Sequence, residues 1–182
     1  MNICALDIKD ILIIKPYLHK DERGYLYESF NKHLFNKLVK SNVSFVQDIY
    51  SFSHFNVIRG MHYQLNPKAQ AKLIQVIKGK IFDVVVDLRK NSPSFGCWVG
   101  QILSEKNRFQ MWIPEGFANG FLVLSEDAEI AYKVTEEYSP QLERCILWND
   151  NKLGIKWPIV TKPIISERDG LGVPFHNAEI YT

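Results

Sequence analysis

The stretch Leu73-Ile74-Gln75-Val76-Ile77-Lys78-Gly79-Lys80-Ile81-Phe82-Asp83-Val84-Val85-Val86-Asp87-Leu88 reads as two apolar strands meeting at a glycine. Side chains alternate across a strand, so Lys80, Phe82, Val84, Val86 and Leu88 share one face while Asp83 and Asp87 fall on the other. Lys78-Gly79-Lys80 is the expected hairpin turn between them, because glycine reaches the positive φ that tight turns use. Outward from this pair the same texture recurs at residues 11–15, 57–64, 110–113, 121–124 and 129–135, each a short apolar run closed by turn residues. That spacing predicts an all-β sandwich or barrel.

Two segments break the pattern. Over residues 31–40, Leu34, Phe35, Leu38 and Val39 form an apolar stripe with lysines opposite, which predicts one amphipathic helix covering a barrel end. The tail from Trp148 onward carries Pro158, Pro163 and Pro174 and little alternation, so irregular structure with one or two short helical turns is expected there, packed on the outside. No repeat or Gly/Ser-rich linker divides the chain, and residues 1–182 are read as a single domain.

Composition narrows the function. With 22 basic and 20 acidic side chains the net charge is only +2, far from the concentrated positive field that nucleic acid demands. Cys4, Cys97 and Cys145 are an odd number without paired spacing, which argues against a disulfide framework or zinc knuckle. Charges interrupt the first ten residues before a signal-peptide core can form, and no run is long enough to span a membrane, so a cytoplasmic protein is expected.

Chemistry concentrates at three inward-reading positions. If residues 57–64 are extended throughout, Ile58, His62 and Gln64 share one face and Arg59 and Met61 the other. Lys72 shares parity with Ile74 and Val76, and Tyr132 stands between Ile130 and Val134. A buried unpaired lysine is costly, unless that face lines a wet cavity for an anionic or carbonyl ligand. Taken singly, each has an ordinary reading as a paired or surface residue.

Several longer motifs accompany these positions. They are Arg59-Gly60-Met61-His62-Tyr63-Gln64, Gln70-Ala71-Lys72-Leu73, Ser92-Pro93-Ser94-Phe95-Gly96, Trp112-Ile113-Pro114-Glu115-Gly116-Phe117-Ala118-Asn119-Gly120-Phe121, Trp148-Asn149-Asp150 and Ser166-Glu167-Arg168-Asp169. In order and spacing they closely resemble the dTDP-4-dehydrorhamnose 3,5-epimerase family. The resemblance implies a cupin-type jelly-roll barrel with a short N-terminal helix and a small C-terminal helical or irregular segment. It also implies a metal-free homodimer needing no cofactor and acting on a dTDP-linked 4-keto-6-deoxyhexose.

By position in that family, His62 is the expected base, Asp169 its carboxylate partner, and Tyr132 the acid that reprotonates the opposite face. The hydrogens at C3 and C5 are acidic because the C4 ketone takes up charge as an enolate, and Lys72 suits the cation beside that oxygen. The resemblance assigns Arg23, Glu28, Gln47, Arg59 and Arg168 to thymine or diphosphate contacts, Tyr138 to stacking on the thymine, and Glu143 to a polar contact nearby. For Glu143 and Arg168 a surface ion pair is the competing reading.

The chain departs from the family's usual pattern at Asn119, where histidine is common and the position faces the sugar. It departs again at Ile49, where a polar residue is general, at Leu26, where an aromatic is usual, and at Arg168, which replaces lysine. Asparagine keeps hydrogen bonding but cannot titrate near neutrality, so Asn119 and Ile49 favour a second reading, an epimerase acting at C3 or C5 alone. A cupin that binds sugar nucleotide without turnover, or a metal-dependent cupin oxygenase, is the reading from another class. The oxygenase would need clustered ligands, and His19, His33, His54 and His176 lie at no ligand-like spacing.

Overall fold

The computed structural model describes residues 2–182. In chain order its first strands are β1 (Asn2–Ala5), β2 (Leu12–Lys15), β3 (His19–Asp21) and β4 (Gly24–Leu26), followed by helix α1 (Lys32–Val39). Then come β5 (Gln47–His54), β6 (Val57–Gln64), β7 (Lys72–Lys78), β8 (Lys80–Asp87), β9 (Trp98–Ser104), β10 (Gln110–Ile113), β11 (Phe117–Val123), β12 (Asp127–Val134) and β13 (Glu143–Cys145). A short strand β14 (Ile164–Ile165), helix α2 (Glu167–Gly170) and a 3₁₀ turn (Phe175–Asn177) complete the tail.

Two antiparallel sheets face each other as a cupin-type jelly roll, one ordered β1-β2-β10-β7-β12-β5 and the other β13-β6-β11-β8-β9. Ile13, Ile74, Val76, Met111, Ile113 and Ile130 from the first sheet, with Ile11 just before β2, meet Ile81, Val85, Leu103, Phe117, Phe121 and Val123 from the second in one core. Burying such side chains contributes roughly 1.5–3 kcal/mol each, which is why inward parity governs the fold.

Both outer faces are covered in part as well, which explains strands that are apolar on two sides. Phe35 of α1 packs with Ile14, Leu73 and Trp112 on the outer face of the first sheet. The helix thus covers a sheet face, where the sequence pattern pointed to a barrel end. Asn31 caps it by accepting from the Leu34 amide, and Lys40 closes it in the left-handed region. On the second sheet, Met61, Tyr63, Val84, Val86 and Leu88 are covered by Ile146, Leu153 and Phe175 of the tail.

One expectation from the sequence is corrected here. Lys78-Gly79-Lys80 does not join a hairpin: β7 pairs with β10 and β12, β8 with β9 and β11, so the chain turns a corner from one sheet to the other. Only glycine fits that corner, where φ is +82° and a Cβ would lie 2.0 Å from the Asp127 carbonyl oxygen. Asp83 and Asp87, on the β8 face opposite Phe82, Val84 and Val86 as the alternation requires, are both fully buried. Asp83 faces the core, and Asp87 is held by Arg89, Ser92 and Ser94.

Candidate active site

The extension of β6 is interrupted where the site begins. Asn119 pairs with His62 and Phe121 with Arg59, so three steps along β6 match two along β11, a β-bulge centred on Gly60 and Met61. The extra residue reverses parity. Arg59, expected on the face away from His62, turns into the same cavity, while Met61 packs into the outer cluster. Gly60 has φ +128° and lies against Gly120, where an added Cβ would stand 2.5 Å from the Gly120 Cα.

His62 is fixed from the tail. Backbone pairing of β14 with the start of β6 delivers α2, and Asp169 Oδ1 lies 2.7 Å from His62 Nε2. The tail is therefore external only in part, since Asp169 is buried. Its second oxygen accepts the Gly60 amide at 3.1 Å, and its own amide donates to the Ser166 cap at 3.1 Å. Burial pushes the Asp169 carboxyl up, but the hydrogen bonds from His62 and Gly60 outweigh it and hold the group below the usual 3.8. An ionised carboxylate only accepts, so Nε2 carries the hydrogen and the Nδ1 lone pair is left as the basic atom.

His62, Lys72 and Tyr132 line one cavity of about 240 Å³ together with Arg59, Asn119, Tyr138 and Glu143. His62 comes from the second sheet and Tyr132 from the first, so the two stand on opposite walls. The Tyr132 hydroxyl lies 3.4 Å from Ser51 Oγ, and burial raises its pKa well above the ordinary phenol value. Lys72 donates one long hydrogen bond, 3.5 Å, to the His62 carbonyl; burial lowers its pKa, opposed by Asp83 and Glu143.

The cavity mouth is organised around Tyr138. Its hydroxyl donates to Glu143 Oε2 at 2.6 Å, its amide donates to Gln47 at 3.2 Å, and Arg168 bonds both Glu143 and the Tyr138 oxygen. Glu143 and Arg168 therefore form the ion pair that the competing reading anticipated, yet Glu143 also lines the cavity. Arg59 is braced by Ser53 Oγ at 2.9 Å and the Phe52 carbonyl at 3.2 Å. Gln47 and Arg168 reach the cavity through Tyr138 and Glu143.

Arg23 and Glu28 are not brought to this cavity. Arg23 sits at the exposed β3–β4 turn, paired with Asp21, and Glu28 accepts from the Asn31 side chain. Leu26 is exposed on the same hairpin, whereas Ile49 lines the cavity.

Reading the sequence for site residues misses Asp83. Its Oδ1 accepts from Asn119 Nδ2 at 2.5 Å, and the same amide nitrogen donates to the Val84 carbonyl at 3.1 Å. Both partners are acceptors, so the orientation of the Asn119 amide is determined and its Oδ1 remains free. The signal was available in principle, because Asp83 shares parity with Ile81 and Val85.

His62, Asp169 and Cys145 bring potential metal-ligand atoms within 4.8 Å of one another. Two of the three are already joined in the histidine–aspartate hydrogen bond. Burial pushes the Cys145 thiol up to about 12, away from the thiolate that binds metals. The donor set does not suit a resident ion.

Comparison with known proteins places this arrangement among others. A family model described as dTDP-4-dehydrorhamnose 3,5-epimerase matches residues 5–177. A protein of that name from Shigella flexneri is 49% identical over 181 residues, covering 100% of this chain and 99% of the relative. The crystal structure of a dTDP-6-deoxy-D-glucose-3,5-epimerase from Legionella pneumophila, in complex with dTDP-4-keto-L-rhamnose, superposes with a TM-score of 0.95 at 43% identity, covering 98% and 94% of the two chains. A 3'-monoepimerase from Streptomyces bikiniensis, in complex with dTDP-quinovose, superposes with a TM-score of 0.89 at 31% identity, covering 94% and 87%.

Proposed function

The chain belongs to the dTDP-4-dehydrorhamnose 3,5-epimerase family, and from that premise we propose how its residues divide the work of epimerisation. The protein is an isomerase. It converts dTDP-4-dehydro-6-deoxy-D-glucose to dTDP-4-dehydro-L-rhamnose by inverting C3 and C5.

The observation that carries the assignment is the placement of His62, with its Asp169 partner, and Tyr132 on opposite walls of one cavity. Inversion needs a proton removed from one face of the carbon and another delivered to the opposite face. His62 Nδ1 removes the proton, Asp169 stabilises the imidazolium that forms, and Tyr132, kept protonated by burial, donates from the other side. Between the two steps the charge rests on the C4 oxygen, where Lys72 supplies the ammonium. Such a donor contributes about 3–4 kcal/mol and a positioned base roughly 10²–10⁴ in rate, so both are needed.

The nucleotide end follows from the mouth of the cavity. Tyr138 stacks on the thymine, Arg59 takes a diphosphate oxygen, and Gln47, Glu143 and Arg168 hold Tyr138 in place. Arg23 and Glu28, remote from this mouth, meet a nucleotide only if a second copy of the chain presents them. A homodimer fits the outer face of the first sheet, where Tyr50, Phe52 and Ile77 are exposed. Residues 1–182 act as one domain. No helix among the described residues is long and apolar enough to cross a membrane, and the three free thiols suit the reducing cytoplasm.

Proton NMR of the dTDP-4-keto-6-deoxy-D-glucose substrate in D2O tests the reading: deuterium should enter at C3 and C5 with formation of the L-lyxo product. Asn119 favours a second reading, in which one centre alone is inverted, because its free group is an amide carbonyl that can neither protonate nor support an enolate. Deuterium at a single carbon would establish it.

A further inference from the structure

Asp83 is a fully buried carboxylate that the mechanism above does not use. It projects from β8 between Ile81 and Val85 into the barrel, with Oδ1 taken by the Asn119 amide at 2.5 Å. Oδ2 has no hydrogen-bond partner among the described residues. Most buried polar atoms are paired, so an orphaned carboxylate oxygen in a barrel interior calls for a reason. Lys72 is the complementary case. Its ammonium is enclosed in the same barrel, with one long hydrogen bond to a carbonyl and no carboxylate within salt-bridge distance among the described residues.

A cation removed from water needs countercharge, or it gives up its proton. Among the described residues, the charged and titratable groups around Lys72 are His62 and Arg59 on β6, Tyr132 on β12, Tyr138 after it, Glu143 on β13 and Asp83 on β8. Only Glu143 and Asp83 are acidic, and Glu143 is already engaged by Arg168 and Tyr138. Asp83 has the free oxygen.

We propose that Asp83 is a positioning residue for the epimerisation, its carboxylate serving as the countercharge that keeps Lys72 an ammonium pointed at the substrate's C4 oxygen. The Asn119 amide holds one carboxylate oxygen in place, so the negative charge stays inside the barrel. The electrostatics agree in direction: burial pushes the Asp83 carboxyl up to about 7 while Lys72 draws it down, and Asp83 in turn raises Lys72. The inference rests on the reading of Lys72 given above.

The test is Asp83→Asn, which removes the charge but leaves an oxygen to accept from Asn119. The wild-type enzyme is assayed first for C3 and C5 exchange; if it shows none, the functional reading fails and not this inference. Given an active wild type, D83N should lower kcat about 10- to 100-fold with KM nearly unchanged, and move the alkaline limb of kcat/KM to lower pH by about one unit. A merely structural aspartate would lower Tm without moving that limb. In a Lys72→Met background the D83N substitution should change kcat less than about twofold, because the two residues act as one unit. A wild-type alkaline limb in D83N, or full additivity with K72M, overturns the proposal. Should D83N fail to fold, carbon-13 NMR of the wild-type enzyme decides: an ammonium at Lys72 and a carboxylate at Asp83 at pH 8 support it, and a neutral amine or carboxylic acid there overturns it.

Discussion

His62 Nε2 and Asp169 Oδ1 lie 2.7 Å apart although 107 positions separate them in the chain. The bond assigns the hydrogen to Nε2 and leaves Nδ1 basic. Replacing Asp169 by asparagine, which presents either a donor or an acceptor to the ring, should lower kcat by about 10²–10⁴ with little change in KM. Steady-state kinetics, with D2O exchange at each carbon, checks this. His62→Ala should abolish exchange at both carbons.

The same carboxylate carries an acid limb. The Asp169 pKa is below 3.8 in the folded protein, so its stabilising contribution is complete above that ordinary value and is lost as pH falls through the lower, folded one. Denaturation followed between pH 5 and pH 2 should show a steeper loss of stability for the wild type than for D169N.

Tyr132→Phe should separate the two proton transfers. Abstraction by His62 persists, while delivery to the opposite face is lost. Deuterium should therefore still enter from D2O with retention of configuration, and inverted product should fall by roughly 10²-fold or more. Equal loss of exchange and inversion would contradict the assignment.

Lys72→Met should cost both activity and stability. A buried lysine with a lowered pKa is destabilising while charged, and the folded protein gains stability as pH rises from the folded pKa toward 10.5. Methionine fills similar space but leaves the buried Asp83 carboxylate without its countercharge, so Tm at pH 8 should fall. Loss of the cation at the enolate should lower kcat about 10²–10³-fold.

Gly60→Ala tests the bulge. The new Cβ would stand 2.5 Å from Gly120 Cα and 2.9 Å from the Asn119 carbonyl oxygen, both backbone atoms, at φ +128°. Urea denaturation should show a loss of about 1–3 kcal/mol or more, and kcat should fall because Arg59 and His62 shift with the strand.

Strand identity was legible because alternation is local: the runs at 57–64 and 110–113 coincide with β6 and β10, and the helix read over 31–40 is α1 with its two caps. Strand parity singled out His62, Lys72 and Tyr132, while their roles and the other site residues came from resemblance, since no local pattern marks Asp169 in its proline-rich tail. Asp83 was passed over because a strand apolar on both faces does not reveal which face is the interior.

The amino-acid sequence by itself determined which segments are strands, where glycine must turn the chain, and which side chains have the chemistry for proton transfer, since these depend on near neighbours and side-chain type. Only the tertiary structure decided that Gly79 turns a corner between sheets, that a one-residue bulge swings Arg59 to the side of His62, and that Asp83 and Asp169 reach the barrel interior from different elements. Those outcomes depend on pairing between distant strands, where a shift of one residue exchanges the two faces, and no local signal encodes that register.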